Sequence, residues 1–317
     1  MDIVKFVRQK GSFELLPLGA GSVLAGTGAA VLRGNMEWPI AVMCLLFAVS
    51  CQLGFSYFFH YNQALRAQKS GQKPSILANS LDEYPVQTRV LSEASTACLL
   101  FSVMIGLVIA LGSNTRLYAL LAGVGVYGIV YLMILGPRLY RTPVSILFSF
   151  LTFGPVGVIG TCMVQAQHEA MTWAFYDMAP ALFLSVAMGL LVMTSHWISG
   201  LEAYLASEGR IRNTAGRIGK KGVAALVIIG GALAVGIIVW MTMALHIQRP
   251  FKCMLPFVFA FALNTFIGAS IPGARIGKLR YLGTLSRFNF LLAGLLTLIF
   301  WAMIGAPDDS MKIILPL

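Results

Sequence analysis

Acids are scarce in this chain. Its 317 residues include only 12 Asp and Glu against 23 Lys and Arg, and charged residues make up 11% of it, where a soluble domain carries about 25%. Such a composition does not cover a water-soluble surface, and it leaves few positions for chemistry built on several carboxylates. Cysteine is sparse too. Cys44, Cys51, Cys98, Cys162 and Cys253 all lie in apolar stretches without a C-x-x-C spacing, which argues against a disulfide framework or a zinc site. The net charge of +11 would point to a polyanion in a soluble protein. In a chain this apolar it is read as membrane topology and contact with anionic lipid, and nucleic acid is set aside as a partner.

Apolar side chains are abundant, at 58% of the sequence, as is glycine, with 32 residues. About nine runs are long enough to cross a hydrocarbon core, which takes roughly 17 to 25 residues each. They lie near Leu15–Leu32, Trp38–Tyr61, Thr96–Gly112, Leu117–Gly136, Pro143–Val164, Ala179–Ile198, Val223–His246, Phe251–Ile271 and Phe288–Ile304. Barrel strands would alternate over about ten residues, so the runs are read as helices. The expected fold is an all-α polytopic membrane protein, one transmembrane domain over 1–317.

The basic residues divide unevenly in a nine-span arrangement, 18 on one side and five (Arg33, Arg116, Arg249, Lys252, Lys312) on the other. The positive-inside rule then sets the N-terminus in the cytoplasm and the C-terminus outside, in a membrane taken to be a bacterial cytoplasmic membrane. Segment 1–14 is expected to lie on the cytoplasmic surface as an interfacial stretch, because Ile3, Val4 and Val7 share a helical face. Two long cytoplasmic loops are expected, at 62–95 and 199–222, and loops of that length are more often functional than connecting.

Several short motifs resemble the UbiA superfamily of intramembrane prenyltransferases, and most closely its 1,4-dihydroxy-2-naphthoate prenyltransferase branch. They are Leu16-Pro17-Leu18, Gln52, Gly154 with Gly160, Ser207-Glu208-Gly209-Arg210 and Arg217-Ile218-Gly219. The resemblance implies a bundle of nine helices that joins an isoprenoid diphosphate to an aromatic acceptor. It also implies two Asp-rich motifs holding Mg²⁺, an ion that demands hard oxygen ligands. Aligned on Gln52, the first motif falls on Ser56, Phe59, His60 and Gln63. Aligned on Gly209, the second falls on Trp197, Leu201 and Leu205, and an acidic position of the fifth span falls on Ile146. None of these eight is a carboxylate.

The expectation is therefore a UbiA-like protein without the family chemistry, with no catalytic residue, metal ligand or cofactor assigned. It would bind an isoprenoid, quinone or other membrane lipid, or act as a membrane partner of another protein. His60, Gln63, Arg210, Arg212 and Arg217 are the candidate ligand-binding residues, since Arg offers forked donors to phosphate oxygens. The alternative is an active prenyltransferase of menaquinone- or ubiquinone-type biosynthesis, which would need Mg²⁺. His196 and Trp197 are read as residues of the membrane interface, and Asn264 as an amide bonded between helices. Gly123, Gly125 and Gly128, with Gly230, Gly231 and Gly236, are read as close-packing faces.

Overall fold

The structure, a computed structural model, describes residues 16–32, 36–70, 84–112, 123–125, 128, 143–165, 175–209, 213–247 and 249–305. Every regular element among them is helical. We number the long helices α1 (Leu16–Leu32), α2 (Trp38–Ser70), α3 (Tyr84–Gly112), α4 (Pro143–Gln165), α5 (Phe175–Ala206), α6 (Thr214–Ala244), α7 (Pro250–Ser270) and α8 (Ile276–Gly305). Seven of them are long and apolar enough to cross a membrane, and α1 is a shorter apolar helix of 17 residues. The chain is thus an integral membrane protein by the length and composition of its helices. The fourth expected span and segment 1–14 fall largely or wholly outside the described residues.

Both expected long loops are in good part helical. Helix α2 continues through Ser70 and α3 begins at Tyr84, while only 207–213 separate α5 from α6. Apolar-run counting stops where charges begin, but helical hydrogen bonding continues past the hydrocarbon as long as the residues permit it. Helix α5 stops where Glu208 and Gly209 turn left-handed, with φ 53° and 80°. Asn213 caps α6 by accepting from the Gly216 N–H at 2.7 Å, and its own amide donates to the Gly200 carbonyl at 2.7 Å. The start of α6 is thereby tied back onto α5. A second left-handed glycine, Gly219 (φ 76°), breaks α6 near its start.

Contacts between helices fix their directions. Gly19 of α1 meets Gln52 of α2, Gly54 and Gly106 of α2–α3 meet Leu99 and Phe47, and Gly26 of α1 meets Val158 and Thr161 of α4. Gly154 of α4 faces Ser185 and Gly189 of α5, Gly230 of α6 faces Thr194 of α5, and Gly268 of α7 faces Ala224 of α6. Helices α1, α3, α4, α6 and α8 therefore run one way and α2, α5 and α7 the other. The last helix packs in parallel on the first, with Gly21 against Phe290 and Gly294 and Gly28 against Leu298.

Helix α5 is the central post, packed on α1, α4, α6 and α8, and it is the most buried of the seven. Helix α3 is the least buried and turns Leu100, Phe101, Met104 and Leu111 outward. Trp38, Trp240 and Phe251 are exposed at one end of the bundle, where an aromatic belt belongs.

Lipid is as apolar as Leu, so such helices are held by close packing and hydrogen bonds rather than by escape from water. The α1–α8 seam shows this, because a Cβ on Gly294 would run into the backbone of Gly21. The expected glycine faces are only partly so. Gly230 and Gly231 approach Thr194 and Asn264, whereas a Cβ on Gly123, Gly125, Gly128 or Gly236 would meet nothing within 4 Å among the described residues. The tightest approaches of glycine to neighbouring backbone are those of Gly26, Gly154 and Gly294.

Helix α4 carries a π-helical stretch, Thr152–Ile159, with Pro155 inside it. Proline lacks the N–H that an α-helix would bond to the carbonyl four residues back, and the wider register accommodates the loss. The Ser22 hydroxyl of α1 lies 2.7 Å from the Phe153 carbonyl in this stretch, so the irregular turn is docked against a neighbour.

Candidate functional site

The start of α8, the start of α6 and the ends of α5 and α7 meet at one end of the bundle. Arg217, Lys221, Arg275, Lys278 and Arg280 are exposed there. Lys220 donates to the Ala274 carbonyl at 2.8 Å, and Arg280 pairs with Glu202 at 2.9 Å. At the opposite end the described basic side chains are Arg249 and Lys252. The folded molecule thus gathers onto one face the charges that the sequence separates by some 60 residues.

Just inside this basic end lies a polar cluster made by three helices. Ser145 and Ser149 are four residues apart on α4, hence on one face, and both are buried. Their hydroxyls bracket the imidazole of His196 on α5, Ser145 at 3.0 Å from Nε2 and Ser149 at 3.3 Å from Nδ1. A neutral imidazole has one donor and one acceptor nitrogen, and a hydroxyl can serve either. One turn further along α5, Ser199 accepts at 2.8 Å from Nη2 of Arg287 on α8. His196, Ser199 and Arg287 are half-buried, so the cluster is not sealed. Close by, Thr194 and Ser286 join α5 to α8 at 3.0 Å. The cluster is rich in donors, and the acid further along α5, Glu202, is held by Arg280.

The candidate residues of the sequence belong to α2 and to the stretch from the end of α5 into α6. His60 is half-buried on α2 and edge-on to Phe59, with ring centroids 5.9 Å apart. Gln63 follows on the same helix, and its side chain lies outside the described set, as do Arg210 and Arg212 entirely. Arg217 is exposed in the first turn of α6. Helix α2 packs on α1, α3 and the end of α4, whereas α6 packs on α5 and α7.

The positions aligned with metal-binding motifs have plain packing roles. Leu201 is buried in an apolar cluster with Ile198, Val223, Val227, Ile271, Leu279 and Leu282, and Trp197 and Leu205 pack against it. Trp197 is partly buried against this cluster. Phe59 packs with Cys51, Phe55 and Leu99, Ser56 is buried, and Ile146 is buried beside Ser145. Ser, Phe, Ile, Leu and Trp side chains do not supply the hard oxygen set that Mg²⁺ requires, so these positions do not fit the ion.

His196, expected at the interface, is also hydrogen-bonded between α4 and α5. A signal for it was present in the sequence, namely serines spaced by four in one apolar run, a histidine inside another and Arg287 at the edge of a third. Asn264 does bond between helices, accepting from Asn289 at 3.1 Å. Comparison with known protein families, with curated proteins and with solved structures finds no match to this chain.

Proposed function

We propose that the chain is a UbiA-like membrane protein that binds an isoprenoid, quinone or other lipid without the Mg²⁺-dependent diphosphate chemistry of the prenyltransferases. The observation that carries this reading is the burial of Leu201, with Trp197 and Leu205 packed beside it, in an apolar cluster. A scaffold that still ionised an allylic diphosphate would need oxygen ligands at those positions, and here they are filled with hydrocarbon that ties four helices together.

Nine crossings are part of the proposal. Helices α3 and α4 run the same way, so Gly112 and Pro143 lie at opposite ends of the bundle. The chain between them has to return, and the apolar run Leu117–Gly136 is of the length that a crossing takes. The gathered basic face supports a cytoplasmic N-terminus and an outer C-terminus.

Two measurements test the reading. Lipid extracted from gently purified protein should contain a polyprenyl lipid or quinone in near-stoichiometric amount, and recovery of bulk phospholipid alone would count against it. Purified protein should not transfer a prenyl group to 1,4-dihydroxy-2-naphthoate or 4-hydroxybenzoate. Turnover abolished by a chelator would establish the alternative, an active prenyltransferase.

A further inference from the structure

We infer that Arg287, Ser199, His196, Ser145 and Ser149 form a recognition site for an oxyanion, a phosphate or carboxylate, at the basic boundary of the membrane. Depth is the first support. Eighteen residues separate Arg287 from Gly305 at the far end of α8, and eighteen separate His196 from Met178 near the far end of the α5 span. At 1.5 Å per residue each is about 27 Å, close to the roughly 30 Å of a hydrocarbon core. If those ends mark one boundary, the cluster sits at the other, at the level of lipid head groups.

Chemistry is the second support. At that boundary Arg287 of α8 donates to a hydroxyl of α5. The guanidinium carries its N–H donors in a fixed fork, and Nη2 donates to Ser199. Three serine hydroxyls and an imidazole beside it can reorient their protons toward an incoming acceptor. Such a set favours an anion with several lone pairs over a cation or a neutral amine.

Accessibility is the third support. Ser145 and Ser149 are buried and hold the imidazole from behind, while His196, Ser199 and Arg287 remain half-buried. A site that served only to glue helices together would gain by sealing its charge. The exposed cations Lys278 and Arg280 on the same helix add a positive field at the approach.

This inference rests on the reading that the protein accepts an amphiphile, and it adds which head group is recognised and where. The oxyanion could belong to a lipid whose tail lies in the bilayer or to a free anion, and two probes separate these. The test uses the full chain in neutral maltoside detergent, with dodecyl phosphate as the lipid-like probe and inorganic phosphate as the free one, each titrated calorimetrically.

Wild type should bind dodecyl phosphate, and Arg287→Gln should weaken it about tenfold or more, the weight of one charge-assisted hydrogen bond. Arg280→Gln removes the same charge from the same end but outside the cluster and should change affinity less than about twofold, in keeping with the small worth of an exposed charge. Should Arg287→Gln fail to fold, Arg287→Lys and Ser199→Ala take its place, each expected to weaken binding severalfold while unfolding near the wild-type temperature. Binding of dodecyl phosphate alone assigns the site to a lipid head group, and comparable binding of inorganic phosphate assigns it to a free anion. Equal losses in Arg287→Gln and Arg280→Gln, or no binding of either probe to wild type, overturn the inference. The wider reading would still stand if a neutral polyprenyl lipid or quinone co-purifies, so the two failures are distinguishable.

Discussion

The second half of α2 and the second half of α5 are where the resemblance sets metal-binding motifs, and they are different kinds of structure. On α2 the region around Ser56 and His60 leans mainly on one partner, α3. Tyr57 packs on Leu91, and Ser95 donates to the Gly54 carbonyl at 2.9 Å. Polar groups persist there, with His60 and Asn62 half-buried. On α5 the corresponding turns stand among α6, α7 and α8, and the residues pointing into that space are Ile198, Leu201 and Leu205. The difference shows that two helix ends expected to share a task have unlike surroundings. A peripheral helix end can stay polar, because water and head groups reach it, whereas a central one surrounded by three helices has to be filled.

The largest expected effect tests that filling. Leu201→Asp buries an unpaired carboxylate and should cost on the order of 4 kcal/mol or prevent folding, while His60→Asp, at a half-buried and already polar helix end, should cost clearly less. Thermal unfolding in detergent reads both. A Leu201→Asp protein with wild-type stability, or one stabilised by Mg²⁺, would mean that the α5 end is still a ligand site.

Next in size is the contrast between seams. Gly294→Ala drives a methyl into the Gly21 backbone and should destabilise by about 2 to 3 kcal/mol. Gly54→Ala chiefly meets the Leu99 side chain, which can move, and should cost about 1 kcal/mol. Equal losses would show that the α2–α3 pair is as tightly fixed as the centre.

Smaller again, Asn289→Ala removes bonds to the Ala260 carbonyl and to Asn264 and should cost about 1 to 2 kcal/mol. Ser95→Ala on the peripheral seam should cost about 0.6 kcal/mol. Reversal of that order would put the stronger polar glue on the periphery. At the bottom of the scale, Arg89→Ala should leave the unfolding temperature unchanged, since its pair with Glu93 is exposed on both sides. A measurable loss would indicate that this charge has a partner beyond Glu93.

Much of the scaffold was legible from composition alone. Eight of the nine apolar runs are helices in the structure, and the fourth falls mostly outside the described residues. Their ends were less legible, because α2 and α3 carry polar turns such as Asn62-Gln63 and Thr88-Arg89 that hydropathy reads as loop and hydrogen bonding keeps helical. Close-packing glycines were misplaced where only a count of small residues was at hand. Gly236 has open space around it while Gly294 touches backbone, and nothing in the local sequence tells them apart.

The site was legible in its parts and not in its assembly. In the sequence Arg287 is one basic residue among 23 Lys and Arg, His196 reads as a residue of the membrane interface, and Ser145 and Ser149 are two hydroxyls in an apolar run. Their meeting depends on α4 and α8 both packing on α5, and no short-range pattern encodes that.

Hydropathy and charge act locally and add along the chain, so the sequence by itself determined that this is a membrane protein of long helices with one basic end. Which faces of those helices meet is a property of pairs of residues far apart in the chain, such as Gly21 and Gly294 or Thr194 and Ser286. Only the tertiary structure decided that α3 and α4 run in parallel, that Leu201 is core rather than ligand position, and that a histidine, three serines and an arginine share one pocket of polarity. The physical reason is that in lipid the apolar surface of a helix is indifferent to its neighbour, and shape and hydrogen bonding, which require the partner to be in place, choose it.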